Sequence, residues 1–162
     1  GIFVVKEPIN FRNEIQELMK QNAGIVREQT RLQNGLKRIL DMKDEFYSKD
    51  NIKIKEFKID DYNNCEDVVL SWQVKSSLIA CEAIIRSALM RQESRGAHYR
   101  SDFPKLDDEK WRINIYCRKE GKGTSGAAPK MVLFKDTVKE IKGPLADFLK
   151  SHVKAAHHRT FE

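Results

Sequence analysis

The sequence predicts a mainly α protein: a helical bundle first, then a β-hairpin, then one added C-terminal helix. Three observations carry that expectation. Residues 65–95 hold no glycine or proline, and within them Val74, Leu78, Cys81, Ile85 and Ala88 step by 4, 3, 4 and 3 residues, the spacing of a bundle seam. Two earlier segments repeat apolar residues at helical spacing. After residue 104 the pattern changes to period two, on either side of a Gly-, Lys- and Ser-rich stretch at residues 119–130. A chain of 162 residues suits one domain, with at most a small appendage.

The first helix is expected after Pro8, with Asn10 as its N-cap and Phe11, Ile15, Leu18 and Met19 on one face. Ala23-Gly24 weakens its end, because Gly costs about 1 kcal/mol against Ala inside a helix. Ile25 and Val26 then form a short apolar connection. The second helix opens on a capping box, Thr30-Arg31-Leu32-Gln33, and Leu32, Leu36, Ile39, Leu40, Phe46 and Tyr47 give it one apolar face. Residues 48–64 are a polar connection. Ile52, Ile54, Phe57 and Ile59 alternate loosely there with Lys and Glu, which suits a short strand or a packed loop.

Asn63-Asn64-Cys65-Glu66 is a second capping box and opens the third helix, the strongest of the set. Val68, Trp72 and Ile79 form a second apolar strip on it, and Ile84 widens the seam. A helix apolar on more than one side packs on more than one side. Gly96 suits the left-handed position just past its end. Trp111 to Cys117 and Met131 to Phe134 are the two strands. Asp107-Asp108-Glu109 suits the N-terminus of a short helical turn. Gly143-Pro144 starts the last helix, whose apolar face is Leu145, Phe148, Leu149, Val153 and Ala156. The expected division is residues 1–104 for the bundle and its exit loop, 105–137 for the hairpin segment, and 138–162 for the closing helix and tail.

Composition narrows the function classes. Apolar residues make up 40% of the chain and charged residues 33%, polar for a globular protein but far from a disordered composition. No apolar run approaches a membrane span, and residues 1–7 do not form a signal peptide. Gly1 in place of Met fits a cleaved tag or a piece of a longer protein. Cys65, Cys81 and Cys117 are an odd set without a C-x-x-C, which fits a reducing cytoplasm. The net charge of +6 is spread along the chain, without a basic stripe interleaved with aromatics, so no nucleic-acid partner is expected.

Candidate chemistry is sparse. Gly121-Lys122-Gly123-Thr124-Ser125-Gly126 matches the G-x-G-x-x-G pattern of dinucleotide sites, but Pro129 and a strand follow where a helix is required. His98, His152, His157 and His158 lack the convergence of a zinc site. Cys81 lies on the apolar seam as a small buried hydrophobe. No catalytic, cofactor-binding or metal-binding residue is expected. One stretch stands apart, Glu93-Ser94-Arg95-Gly96-Ala97-His98-Tyr99-Arg100-Ser101-Asp102-Phe103-Pro104, which packs arginines, carboxylates, a histidine and a tyrosine behind a long helix. From the residues alone it is a polar network that fixes the helix exit, or a functional loop.

That stretch, continued by Asp107-Asp108-Glu109 and Trp111, resembles the signature near the end of succinate dehydrogenase and fumarate reductase flavoproteins. The wider family includes L-aspartate oxidase and adenylylsulfate reductase flavoproteins. Met19-Lys20-Gln21-Asn22-Ala23-Gly24-Ile25-Val26-Arg27-Glu28 resembles the helix and turn that open that family's C-terminal domain. The resemblance covers roughly residues 10–118. It implies a three-helix, up-and-down, spectrin-repeat-like bundle that follows an FAD-binding domain and a capping domain. Those two domains hold the flavin and the dicarboxylate site, and none of their motifs is in this chain. The chain thus resembles the C-terminal domain cut from such a subunit, inactive alone, with FAD implied for the parent. The resemblance assigns Ser94, Arg95, Gly96, His98, Arg100 and Asp102 a role in packing the bundle against the FAD-binding and capping domains. It also implies an iron-sulfur subunit as a further partner, a cytoplasmic place peripheral to the inner face of the membrane, and no direct membrane insertion. A homodimer of the fragment is expected, through the C-terminal helix of residues 138–162, the uncovered Trp72 side of the third helix, or both. The alternative is a free-standing basic helical adaptor binding protein or nucleic acid, which needs a contiguous Lys/Arg face.

Overall fold

The short, largely apolar connection from Ala23 to Glu28 lets the first two helices fold back on each other. The computed structural model describes residues 2–55, 65–121, 127–138 and 142–153. Its elements are β1 (Ile2–Val5), α1 (Pro8–Asn22), β2 (Val26–Arg27), α2 (Gln29–Tyr47), β3 (Ile52–Lys55), α3 (Glu66–Met90), β4 (Tyr99–Arg100), α4 (Asp108–Trp111), β5 (Ile113–Glu120), β6 (Lys130–Thr137) and α5 (Pro144–Val153). Helices α1, α2 and α3 form a three-helix up-and-down bundle, and β5 and β6 form the hairpin beside α3.

The seam on α3 is the core. Val74, Leu78, Cys81, Ile85 and Ala88 are all buried, facing Leu32, Ile39, Met42 and Phe46 of α2 and Ile15 of α1. Phe46 joins the two sides through edge-on contacts with Phe11 at 6.0 Å and Tyr47 at 5.1 Å between ring centroids. Gly35 faces α1 so closely that an added Cβ would stand 2.8 Å from the Cβ of Asn22, so this crossing requires glycine. On the second strip of α3, Val68 and Ile79 are half-buried and Trp72 is exposed. Ile84 does not widen the seam. It is exposed, one residue and about 100° round the helix from buried Ile85. By length and composition α3 could cross a membrane, yet its seam is the bundle's interior.

Three helix starts differ from expectation. Proline at the first helical position begins α1, preceded by Glu7 at φ 46°, while Asn10 sits inside the first turn and donates to Glu7 Oε2 at 3.0 Å. Helix α2 begins at Gln29, and no side chain of its own caps it. Cys65 precedes α3 without a side-chain cap, and Asn63 and Asn64 lie outside the described residues. Helix α3 ends at Met90, where Arg91 turns extended. Gly96, at φ 58°, serves a later turn that closes Arg95 against His98, not the helix end.

The N-terminal strand was not foreseen. β1 pairs antiparallel with β3, in register Val5↔Ile52, and the Val5 N–H donates to Ser71 Oγ of α3 at 3.1 Å. Phe57 and Ile59 lie outside the described residues. Trp111 belongs to α4 and is buried, so β5 starts two residues later than the alternation suggested; Asp107 caps α4 by accepting from the Lys110 N–H at 3.0 Å. The hairpin runs from Ile113↔Thr137 to Glu120↔Lys130, with Tyr116 and Phe134 stacked at 5.3 Å. Its loop end is tied inward by buried Lys43, which bonds Glu82 and donates to the Pro129 carbonyl at 2.8 Å. Helix α5 follows Gly143 at φ 81°, with Ala146 buried and Leu145 and Phe148 exposed.

Leu78→Ala should cost about 2–5 kcal/mol, as buried leucine truncations do. Chemical denaturation of the purified chain measures it. A cost under about 0.5 kcal/mol, the range of surface substitutions, would place Leu78 outside the core.

Candidate functional site

The segment after α3 is organised around two buried charges, Glu93 and Arg100. Arg100 donates through Nη1 to the Ala88 carbonyl at 2.7 Å and, more weakly, to the Arg91 carbonyl at 3.3 Å. These are the orphan acceptors at the C-terminus of α3, which any helix end must satisfy. The rest of the guanidinium grips Asp102, Nε to Oδ1 at 2.7 Å and Nη2 to Oδ2 at 2.6 Å. Asp102 Oδ2 accepts from the Gln29 N–H at 3.0 Å. The missing cap of α2 therefore comes from a residue 73 positions away. A cation at one helix's C-terminus and an anion at the other's N-terminus both complement the macrodipole. The Arg100 bond holds the Asp102 carboxyl below its usual range, against a smaller upward push from burial.

Glu93 organises the other half. It accepts from Arg91 Nη1 at 2.5 Å, Arg95 Nε at 2.7 Å and the Asp107 N–H at 2.9 Å. Burial pushes its carboxyl up, but those donors together outweigh burial and hold it down. Arg95 bridges on to Asp108 at 2.6 Å, and Arg91 donates to the Trp111 and Ile113 carbonyls. Ser94 Oγ accepts from the Arg100 N–H at 2.9 Å and donates to the Phe103 carbonyl at 2.8 Å. The loop is thus a clamp joining α2, α3, α4 and β5.

The six residues singled out from sequence divide by role. Ser94, Arg100 and Asp102 are engaged inside the clamp, and Arg95 lies at its edge on Glu93 and Asp108. Gly96 is exposed at the turn. His98 faces a different partner, Arg27, whose Nη1 lies 2.9 Å from His98 Nδ1. A guanidinium only donates, so Nδ1 accepts and the ring proton sits on Nε2. Burial and the Arg27 charge hold this imidazole below its usual pKa. Nε2 is buried, and among the described residues no acceptor meets it in hydrogen-bonding geometry. Arg27 was missed as a site residue because nothing local marks it; it is 71 positions from His98.

This chemistry clamps the helix ends and the loop together. The guanidinium groups of Arg91, Arg95 and Arg100 are engaged by carboxylates and carbonyls, and among the described residues no three metal-ligating side chains converge. Cys81 is buried, which pushes its thiol up and leaves it unreactive. Nor do the described residues fit a flavin dinucleotide. Gly121 lies just past the end of β5, and β6 returns antiparallel from Lys130, where a dinucleotide site needs a helix; Gly123 and Gly126 lie outside the described residues. The N-termini of α2 and α4 are filled by Asp102 and Asp107.

Residues 12–139 match the model of the fumarate reductase flavoprotein C-terminal family. The chain belongs to that family. It is 38% identical over 101 residues to the fumarate reductase flavoprotein subunit of Helicobacter pylori, covering 62% of this chain and 13% of that protein. It is 35% identical over 118 residues to an uncharacterized FAD-dependent oxidoreductase of Methanocaldococcus jannaschii, covering 70% of this chain and 20% of the relative. Among solved structures, the Mycobacterium smegmatis Sdh1 complex with UQ1 aligns with TM-score 0.74 and 23% identity, over 92% of this chain and 24% of that one. A quinol-fumarate reductase with menaquinol aligns with TM-score 0.68 and 22% identity, over 86% of this chain and 22% of that one. These likenesses carry the fold. The chain spans about a fifth or less of the curated relatives it matches. It is a C-terminal domain of the succinate dehydrogenase and fumarate reductase flavoprotein type. A free-standing basic adaptor finds no support, since Arg91, Arg95 and Arg100 of the loop are committed to internal acceptors.

The clamp predicts acid sensitivity in two steps. His98 has a lowered folded pKa, so its contribution is complete above the unfolded value of about 6.5 and is lost as pH falls through the folded one. Asp102 and Glu93 are lowered too, and their contributions are lost below about pH 4. Stability measured against pH should fall first below about 6.5, and His98→Gln should remove that step while leaving the acidic one.

Proposed function

We propose that this chain is the packing domain of an FAD-dependent succinate dehydrogenase or fumarate reductase-type flavoprotein subunit. It adds no catalytic or flavin-contacting residue of its own. Ser94, Arg95, Gly96, His98, Arg100 and Asp102 shape the surface that rests on the FAD-binding and capping domains: Arg100 and Asp102 fix the loop, His98 orients Arg27, and Gly96 lies exposed at the turn. The single observation behind this is the buried Arg100–Asp102 clamp, in the same loop that carries the family resemblance. Nothing in it is free for turnover, and everything in it sets a surface.

The parent subunit would hold FAD and oxidise or reduce a dicarboxylate, with an iron-sulfur subunit as its electron partner. Its place would be peripheral to the inner face of the membrane, on the cytoplasmic side. The Helicobacter pylori relative is named as a fumarate reductase flavoprotein subunit and a relative from Oryza sativa as a succinate dehydrogenase flavoprotein subunit, so the direction of reaction belongs to the parent.

Purified chain mixed with FAD should give no saturable quenching of flavin fluorescence at micromolar concentration. Added to the Helicobacter pylori subunit truncated ahead of its matching segment, and still yellow, it should associate and restore fumarate reduction. Flavin binding by the chain alone, or no association, would count against the proposal.

Residues 1–104, 105–137 and 138–162 are proposed as bundle, hairpin segment and appendage. The family match stops at residue 139, ahead of α5. A ten-residue helix is marginal alone in water, so α5 adds to a core that does not need it. Truncation after Lys142 should leave a helical chain with one cooperative unfolding transition, seen by circular dichroism. Loss of cooperativity would make α5 part of the core.

A further inference from the structure

One face of the molecule is built rigidly and left uncovered. β2 and β4 form a parallel ladder, Val26 opposite Tyr99 and Arg27 opposite Arg100. Side chains alternate across a strand, so Arg27 and Arg100 turn inward while Val26 and Tyr99 turn outward, and both outward residues are exposed. Parallel pairs are ordinarily covered on both faces. Beside the ladder, Ile25 is 85% exposed, the most exposed of the large apolar residues described. Ile84 and Tyr116, both exposed, continue the apolar surface and line an open cavity of about 770 Å³ together with Arg27 and His98. An apolar patch held on fixed backbone marks a contact surface.

The charge in this cavity selects the occupant. Arg91 and Arg95 at its wall are neutralised by Glu93 and Asp108. Arg27 is not: among the described residues no carboxylate lies within ion-pair distance, and its bonds go to the Gly24 carbonyl and to neutral His98. A second copy of this chain would bring the same basic cavity against itself across a two-fold axis, with like charges facing. We infer that this face, Ile25 to Arg27 with Ile84, Tyr99 and Tyr116, receives an apolar segment bearing a carboxylate that pairs with Arg27, supplied by the portion of a flavoprotein subunit outside this chain. The inference rests on the proposed function and names the surface through which that packing occurs.

The test uses the full 162-residue chain and the truncated, flavin-retaining Helicobacter pylori subunit, with affinity measured by sedimentation. Arg27→Glu should weaken association about tenfold or more, as removal of a buried interfacial charge does. Ile25→Asp should do the same, and at so exposed a position it leaves the bundle intact. Arg12→Glu makes the same charge change on α1, outside this cavity, and should leave affinity within about threefold. If the unaltered chain binds while Arg27→Glu and Ile25→Asp bind equally well, this face is wrong and the packing proposal stands. If the unaltered chain fails to bind at roughly 100 μM, both fall. Self-association of the chain that Ile25→Asp abolishes would give the face to a second copy and overturn the inference.

Discussion

The structure depends on Arg100 and Asp102 acting as one ion pair between two helix ends. Helix α3 finishes with carbonyls that need donors, and α2 begins with N–H groups that need acceptors. The guanidinium meets the first need and the carboxylate the second, while each neutralises the other. Arg100 is essentially inaccessible, and a buried charge is tolerated only when paired and fully hydrogen-bonded. The pair therefore fixes how the exit of α3 lies across the entry to α2. That position then places the parallel ladder, because Tyr99 and Arg100 lie beside Val26 and Arg27 as the loop passes α2. Glu93 extends the same logic to α4 and β5 through Arg91, Arg95 and the Asp107 N–H.

A second buried pair governs the hairpin. Lys43 on α2 and Glu82 on α3 are almost wholly inaccessible, Glu82 also takes Arg86 at 2.7 Å, and Lys43 reaches the Pro129 carbonyl. Such pairs add little net stability over an apolar core but punish every arrangement that leaves one partner alone. Their effect is register. A hairpin held to the bundle at Pro129 and through Arg91 to the Ile113 carbonyl cannot slide along α3. Two polar clamps thus position parts that the apolar seam alone would leave free to shift.

The seam itself was legible in the sequence because helical burial has a period that composition cannot hide. Val74, Leu78, Cys81, Ile85 and Ala88 face inward as their spacing required. The last helix began at Gly143-Pro144, and the short turn after the acidic trio formed, for equally local reasons. What local pattern could not show was distant capping. Thr30 looked like an N-cap, but Asp102 performs that task, bonding Gln29 from 73 positions away. Trp111 kept the alternation of a strand, yet its burial against Arg91 placed it in a helical turn. β1 was invisible because its partner strand lies nearly fifty residues on. The loop was recognisable by its residue types, but which of those residues work internally and which face outward depends on partners that no spacing rule connects.

The two segments that carried the family resemblance turn out to touch. Residues 19–28 and 93–104 meet through Val26 opposite Tyr99, Arg27 against His98, and the Ser101 N–H on the Arg27 carbonyl at 2.9 Å. Neither segment has a folded purpose without the other. The turn at Gly24 to Arg27 supplies an edge and a cation, and the loop supplies the partner strand and the imidazole that orients it. Their inward residues are fully engaged, so substitution there disturbs helix ends and is felt through the whole bundle. Their outward residues make no comparable contacts within the described chain. An 85% exposed isoleucine here lies beside a guanidinium that meets no carboxylate among the described residues. A surface that must accept another body does require that combination, because apolar area provides the attraction and one uncompensated charge fixes the orientation.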